Sequence, residues 1–388
     1  MTAIEFQTLV PAPADGATHG RLGRLRTAHG WVDTPTFMPV GTNATVKALD
    51  ADDLHEVGAQ MVLANTYHLF LRPGHERIAR LGGLHRFMGW DGSILTDSGG
   101  FQVVSLTDLR SVDDDGVSFR SHLDGSLQRL TPETSIGVQA ALGSDIAVAF
   151  DQPVPPSASS RDEVAAATQR THRWAKRSLD AHERSGAAGI GASAGQALFG
   201  IVQGGLEEDL RADSARTIAA MPFDGICIGG LAGDETADER GHALDVVRDA
   251  LGDDPRPRYL MGLGSPVDML DAVDRGVDLF DSVLPARVAR NGTLWVPDGK
   301  LNIHNARFLD DGAPVQDDCP CRLCRGYSRA YLAHLFRAQE LLAYRLATCH
   351  NLTFTLRFMA LIRDALAAGT LPQLRLASDA ARVATRAS

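Results

Sequence analysis

SILTDSGG, residues 93–100, sets the apolar pair Ile94 and Leu95 ahead of Thr96, then Asp97, Ser98 and two glycines. The same design recurs as MVLANTY (61–67), DIAVAFD (145–151), LFGIVQGG (198–205), DGICIGG (224–230), RYLMGLG (258–264) and VDLFDSVLP (277–285), with FMPV (37–40) at the front. Nearly continuous apolar runs without strict alternation suit parallel strands covered on both faces. Helix-like segments at 162–184, 207–219, 235–250 and 266–275 lie between the later runs. The βα rhythm from about residue 36 predicts an α/β chain whose eight runs close into a (β/α)8 TIM barrel. A doubly wound open sheet is the alternative. The barrel is favoured because Asp97, Asp151, Gln203, Gly230 and Asp281 follow different strands and would meet around one mouth, whereas an open sheet gathers its site at one switch point.

A barrel needs about 250 residues, and the chain has 388. The surplus divides as follows. Residues 1–35, with RLGRLRTAHGWVDTP, read as antiparallel strands packed beside the barrel, which takes 36–291. Residues 186–196 (GAAGIGASAGQ) read as a flexible surface loop. Residues 292–350 break the rhythm and form an inserted subdomain. A final barrel helix over 351–367 and a tail complete 351–388.

Composition excludes several classes. With 44% hydrophobic and 22% charged residues the chain supports a folded core, against fibrous or largely disordered readings. No apolar run approaches a membrane span, and the N-terminus lacks a basic region followed by an apolar stretch, so a cytoplasmic location is expected. The formal charge of −10 disfavours indiscriminate coating of nucleic acid. Between Arg287 and Arg337, however, eight basic residues face five acidic ones, a local excess of +3. Such a run is ordinarily a solvated face, but it permits a basic patch on an acidic protein.

Four of the five cysteines, Cys319, Cys321, Cys324 and Cys349, fall within 31 residues. Cys-x-Cys-x-x-Cys is a compact turn able to aim three thiolates at one tetrahedral zinc, with His350 as the expected fourth ligand. Cys349 competes for that place, but neighbours on a helix point about 100° apart, so the two do not face one metal. A disulfide is the other reading, disfavoured in a reducing compartment. A filled coordination shell makes the ion structural, one per subunit. Cys227, inside an apolar run, reads as a small buried hydrophobe.

Asp281 and Asp97 each end an apolar run, and the glycines after Asp97 allow a ligand close approach. From spacing alone, two carboxylates at a barrel mouth could divide nucleophilic attack and proton transfer, could bind magnesium, or could cap helices.

Several unusual stretches, in order, resemble the queuine/tRNA-guanine transglycosylase family in its bacterial form. They are GRLGRLRTAHGWVDTPTFMPVG (20–41), NTYHLFLRPG (65–74), FMGWDGSILTDSGGFQ (87–102), SFRSHLDG (118–125), LFGIVQGG (198–205), YLMGLGSP (259–266), CPCRLCRGYSRAYLAHLFRAQE (319–340) and HNLTFTLRFM (350–359). The resemblance implies exchange of guanine at the wobble position of a tRNA anticodon for 7-aminomethyl-7-deazaguanine, a step of queuosine biosynthesis. Asp281 would attack the ribose and form a covalent tRNA–aspartyl intermediate, and Asp97 would handle the proton of the leaving or entering base. Two displacements at one carbon retain configuration, as in retaining glycosidases.

The target base must leave its stack. By resemblance, Asp151 accepts from its edge, Gln203 and the backbone at Gly230 and Leu231 meet its carbonyl side, Phe101 covers its face, and Glu235 suits an aminomethyl group. Arg287 and Arg290 would touch the anticodon loop, and a homodimer would place one subunit at catalysis and its partner under the tRNA. The ordinary readings of these residues are strand-end turn, surface amide, core packing and surface charge.

Departures cluster near the pocket. Gln152 and Pro153 stand where the family usually has Glu-Cys, Gly233 and Asp234 where it has Val-Gly, and Ser282, Ala286 and Val288 where it has Cys, Thr and Asn. They bear on which base enters, not on the nucleophile. The alternatives are a different 7-deazaguanine, a tRNA N-glycosidase, and a non-catalytic zinc-containing RNA-binding protein.

Overall fold

Three antiparallel strands open the chain: β1 (Glu5–Val10), β2 (Leu22–Thr27) and β3 (Gly30–Thr34). The computed structural model describes residues 3–106, 110–154, 160–187 and 195–376. The first parallel strands are β4 (Thr36–Gly41), β5 (Met61–Ala64) and β6 (Ser93–Thr96). An excursion follows, a small antiparallel sheet of β7 (Arg110–Val112), β8 (Val117–Arg120) and β9 (Leu127–Leu130). Then come β10 (Ile146–Val148), β11 (Ala197–Val202), β12 (Gly225–Ile228), β13 (Arg258–Leu260) and β14 (Leu279–Ser282). β4 pairs with both β5 and β14, in parallel register, which closes the eight-stranded barrel. The open-sheet alternative is thereby excluded, and all eight apolar runs are barrel strands.

Alternation within each strand splits the apolar residues between two cores. Met61 and Leu63 of β5, Phe199 and Ile201 of β11 and Tyr259 of β13 fill the barrel interior. Val62 and Ala64, Leu198 and Val202, and Leu260 face the helical layer. A strand buried on both sides has no polar face to display, so its sequence shows no two-residue rhythm. Leu25 of β2 and Val32 of β3 join the interior cluster, so the N-terminal sheet closes the end where the strands begin. Polar ties reinforce this. Arg21 donates to both oxygens of the buried Asp278 at 3.0 and 2.7 Å, and Asp145 accepts the Ile94 N–H while bonding His29.

Four helices lie near the expected segments: Arg161–Ala187, Glu208–Ala219, Ala237–Leu251 and Pro266–Asp274. Residues 188–194 of the expected surface loop lie outside the described residues, as does most of the tail. After β14 come a short helix, Leu284–Arg290, and a hairpin of β15 (Thr293–Val296) and β16 (Gly299–Asn302). Residues 289–347 build a separate apolar cluster around Phe308, Leu323, Leu332 and Leu346. The closing helix is longer than its 351–367 expectation. It spans Leu341–Ala368 without a break, so the expected boundary after residue 350 falls inside one helix. Its first turns pack on the 289–347 cluster and its later turns on the barrel. One continuous helix thus joins the cluster beside the cysteine turn to the barrel.

Candidate active site

The polar residues that end the strands gather at one rim, opposite the N-terminal sheet. Asp97 follows β6, Asp151 follows β10, Gln203 follows β11, Gly230 follows β12, and Asp281 sits in β14. Asp97 is 7% exposed. Its Oδ2 accepts from the Asn65 side-chain amide at 2.6 Å and its Oδ1 from the Thr66 N–H at 2.8 Å. Burial pushes this carboxyl up to about 7, with the charges of Asp281 and Asp151 adding to the effect; the Thr66 N–H and the Gln102 side chain oppose it. Such a group is poised to give or take a proton near neutrality.

Asp281 is partly exposed. The Tyr259 hydroxyl donates to its Oδ1 at 2.6 Å and the Gly262 N–H to the same oxygen at 2.7 Å. No hydrogen bond reaches Oδ2 among the described residues. Burial raises this carboxyl above the ordinary range, and the two donors pull it back. One oxygen is therefore oriented and the other is left with its lone pairs.

Asp151 lies at the floor. Ser98 donates to Oδ1 at 3.0 Å and Gln203 Nε2 to Oδ2 at 2.7 Å. Burial pushes it up to about 6 against those two bonds. A Cβ on Gly100 would fall 2.7 Å from Asp151 Oδ1 and one on Gly230 2.8 Å from Gln203 Oε1, so both backbones pass directly over these side chains. Gly230 also has φ +72°, a region that favours glycine. Gln203 Oε1 is buried with no partner among the described residues. A buried acceptor without a donor is costly, and a ligand donor would relieve it.

Phe101, at the start of the Gly100–Leu106 helix, is 62% exposed, which removes the core-packing reading. The Leu231 side chain is fully buried, so only its backbone is available to a ligand. Glu235 accepts the Gly233 N–H at 2.9 Å and pairs with Arg240 at 3.0 Å, so its carboxylate braces the loop after Gly230. Arg287 is exposed on the Leu284–Arg290 helix, and Arg290 is half-buried with its Nε on the Ala286 carbonyl.

The cysteine turn supplies a second constellation. His350 Nδ1 lies 3.7, 3.5 and 3.3 Å from the sulfurs of Cys319, Cys321 and Cys324. Ligands on a tetrahedral zinc, with Zn–S of about 2.3 Å and Zn–N of about 2.0–2.1 Å, are about 3.6 Å apart, so the donor set fits. His350 Nε2 donates to the Trp295 carbonyl at 2.8 Å, so Nδ1 is the ring nitrogen that faces the sulfurs. These four residues can hold a metal ion; Cys349 is buried outside the group.

Asn65, Ser98, Tyr259 and Gly262 carry the bonds that orient the carboxylates, and sequence reasoning missed them. Tyr259, the one polar-tipped residue of an apolar run, is the signal that could have been used. Asn65 and Thr66 stand in the position where MVLANTY turns polar, as Asp97 does in its own run.

Residues 15–382 match the family model described as queuine tRNA-ribosyltransferase. A queuine tRNA-ribosyltransferase of Symbiobacterium thermophilum is 51% identical over 375 residues, covering 97% of this chain and 90% of that protein. The protein of the same description from Caldanaerobacter subterraneus subsp. tengcongensis is 50% identical over 366 residues, 94% of each chain. That from Herpetosiphon aurantiacus is 51% identical over 348 residues, 89% of this chain and 86% of its own.

Proposed function

The chain belongs to the queuine tRNA-ribosyltransferase family, and within it we propose that this enzyme replaces the wobble guanine of a tRNA with 7-aminomethyl-7-deazaguanine through a covalent aspartyl intermediate. The observation that carries the proposal is the division of labour between two carboxylates at one rim. Asp281 has one oxygen held by Tyr259 and Gly262 and the other free, as a nucleophile requires. Asp97 is held deep, with its carboxyl brought to about 7, as a proton carrier requires.

In the first displacement Asp281 Oδ2 forms a bond to the ribose anomeric carbon while the bond to guanine breaks and its electron pair leaves with the base. The proton the base needs comes from Asp97. In the second, the entering base gives up its ring N–H proton to Asp97 and attacks the same carbon, and Asp281 leaves as carboxylate. The RNA backbone is never cut, and configuration is retained.

Asp151, Gln203 and the Gly230 backbone read the guanine-like edge, and Gln203 Oε1, without a partner among the described residues, is an acceptor open to a donor of the base. Phe101 stacks on the flipped base. The carbonyls of the loop beginning at Leu231, braced by Glu235, receive the aminomethyl ammonium. Arg287 and Arg290 meet the anticodon backbone. Cys319, Cys321, Cys324 and His350 hold one zinc per subunit, which fastens the 292–350 segment and takes no part in the chemistry. The working form is a homodimer with one subunit on the tRNA at a time, in the cytoplasm. Among the described residues no helix is long and apolar enough to cross a membrane.

The test is incubation of the purified protein with a guanine-bearing anticodon hairpin and a panel of 7-substituted deazaguanines, read by intact mass. Exchange into unbroken RNA with the aminomethyl base is expected, and an RNA–protein adduct absent from Asp281→Asn. Release of guanine without replacement would assign a glycosidase. Turnover of only a cyano base or queuine would overturn the substrate, and no reaction by a folded, metal-bound protein would overturn the activity.

A further inference from the structure

Behind the base pocket lies a cation that the reaction above does not use. Arg211, on the Glu208–Ala219 helix, is 1% exposed. Its Nε donates to the Gly205 carbonyl at 2.7 Å and its NH1 to the Gly229 carbonyl at 3.2 Å. It thereby ties together the two strand ends that carry Gln203 and Gly230. The fit is close: a Cβ on Gly204 would lie 2.6 Å from the Arg211 backbone nitrogen, and one on Gly230 would lie 3.7 Å from NH2. That NH2 group is buried and has no partner among the described residues. Glu235 is the nearby opposite charge, but its carboxylate is engaged by Gly233 and Arg240. Burial pulls the guanidinium down to about 10, so it remains a cation at neutral pH.

Packing does not account for such a group. A buried cation with unfilled donors is costly, and an apolar side chain of similar volume would ordinarily serve stability as well or better. Its position supplies the reason. When the glycosidic bond breaks, the electron pair leaves with guanine and spreads over the ring onto its carbonyl oxygen. That is the edge met by Gln203 and the Gly230 backbone.

Resting on the exchange reaction proposed above, we infer that Arg211 is a positioning residue for departure of the base: it fixes the peptide around Gly229–Gly230 and sets a positive charge behind the Gly230 N–H, which receives the developing negative charge. A preorganised charge in a water-poor site acts on the transition state without reorganising.

The experiment compares two leaving bases in the same hairpin. Guanine leaves with negative charge to be stabilised. Guanine methylated at N7 is already cationic in the RNA and leaves neutral. Both are displaced by isotopically labelled guanine, with metal content and thermal midpoint as fold controls. Arg211→Gln removes the charge and keeps an amide donor. It is expected to lower kcat for the guanine hairpin roughly tenfold to a hundredfold, less than the loss of a direct oxyanion donor. KM for the hairpin is expected within about twofold, and kcat for the methylated hairpin within about threefold, because there is little charge to stabilise. Arg211→Lys keeps a cation and should hold the ratio of the two rates near that of the parent; Arg211→Met, which also removes the charge, carries the test if the Gln variant does not fold. Equal losses on both hairpins in Arg211→Gln or Arg211→Met would reduce Arg211 to scaffolding and overturn the inference, as would undiminished guanine exchange in Arg211→Gln or a guanine-selective loss in Arg211→Lys. A parent that displaces neither base refutes the exchange reaction itself, and the inference falls with it.

Discussion

Replacing Asp97 with Asn should abolish exchange and, at alkaline pH, make the protein more stable. The carboxyl moves from 3.8 to about 7 on burial. At about 1.4 kcal/mol per pH unit, that gap is worth roughly 4 kcal/mol. The sign follows from proton counting. Between those two values the unfolded chain has released the proton and the folded one keeps it, so stability falls as pH rises and levels off once Asp97 ionises in the fold. Asn has no proton to lose and escapes that fall. It introduces one conflict, because its NH2 would face the Asn65 amide. Asn65 cannot turn over freely, since its Oδ1 caps the His68 N–H at 3.1 Å. A lost buried hydrogen bond costs about 1–3 kcal/mol. The balance near pH 8 is a gain of about 1–3 kcal/mol for Asp97→Asn, shrinking by about 2 kcal/mol near pH 5.5. Urea unfolding midpoints of parent and variant at the two pH values measure this difference, and titrations of groups away from this rim cancel. A stability difference that stays constant from pH 5.5 to 8 would refute the claim that burial sets this carboxyl, and the proton-carrier role would lose its physical basis.

Tyr259→Phe removes a donor from Asp281 Oδ1. Because that bond holds the carboxyl down against burial, its loss should move the acidic limb of the kcat/KM profile to higher pH. An unmoved limb would show that Tyr259 does not tune the nucleophile. Cys321→Ser should release the metal to a chromogenic chelator and expose the 292–350 segment to proteolysis while the barrel core persists. Full metal content in that variant would exclude Cys321 from the ligands.

Much of the barrel was legible because the physics that makes it is local. A strand covered on both faces must be apolar throughout, and a strand end that meets water or a ligand must turn polar or small. All eight runs obeyed this, from FMPV to VDLFDSVLP. The β7–β9 sheet was not legible. Its strands have three or four residues, with exposed positions such as Arg120 and Leu127, too short and too wet for a period to show. The Leu341–Ala368 helix was read without its first ten residues because its first turns serve a different apolar cluster from its later ones, which blurs any single stripe. The Cys319, Cys321 and Cys324 turn was legible because a metal's demand for several thiolates is written in residue spacing.

Residue type and order alone determined that two strand-end carboxylates, further polar residues at other strand ends and four metal-capable ligands are present, since side-chain chemistry is carried by the residue itself. Only the folded arrangement decided what each one can do. The proton affinity of Asp97, the free oxygen of Asp281 and the isolation of Arg211 come from water exclusion and from partners distant in the chain: Asn65 lies 32 positions from Asp97, and Asp281 farther still. Desolvation and hydrogen-bond direction are properties of neighbours in space, and the linear order of residues does not record them.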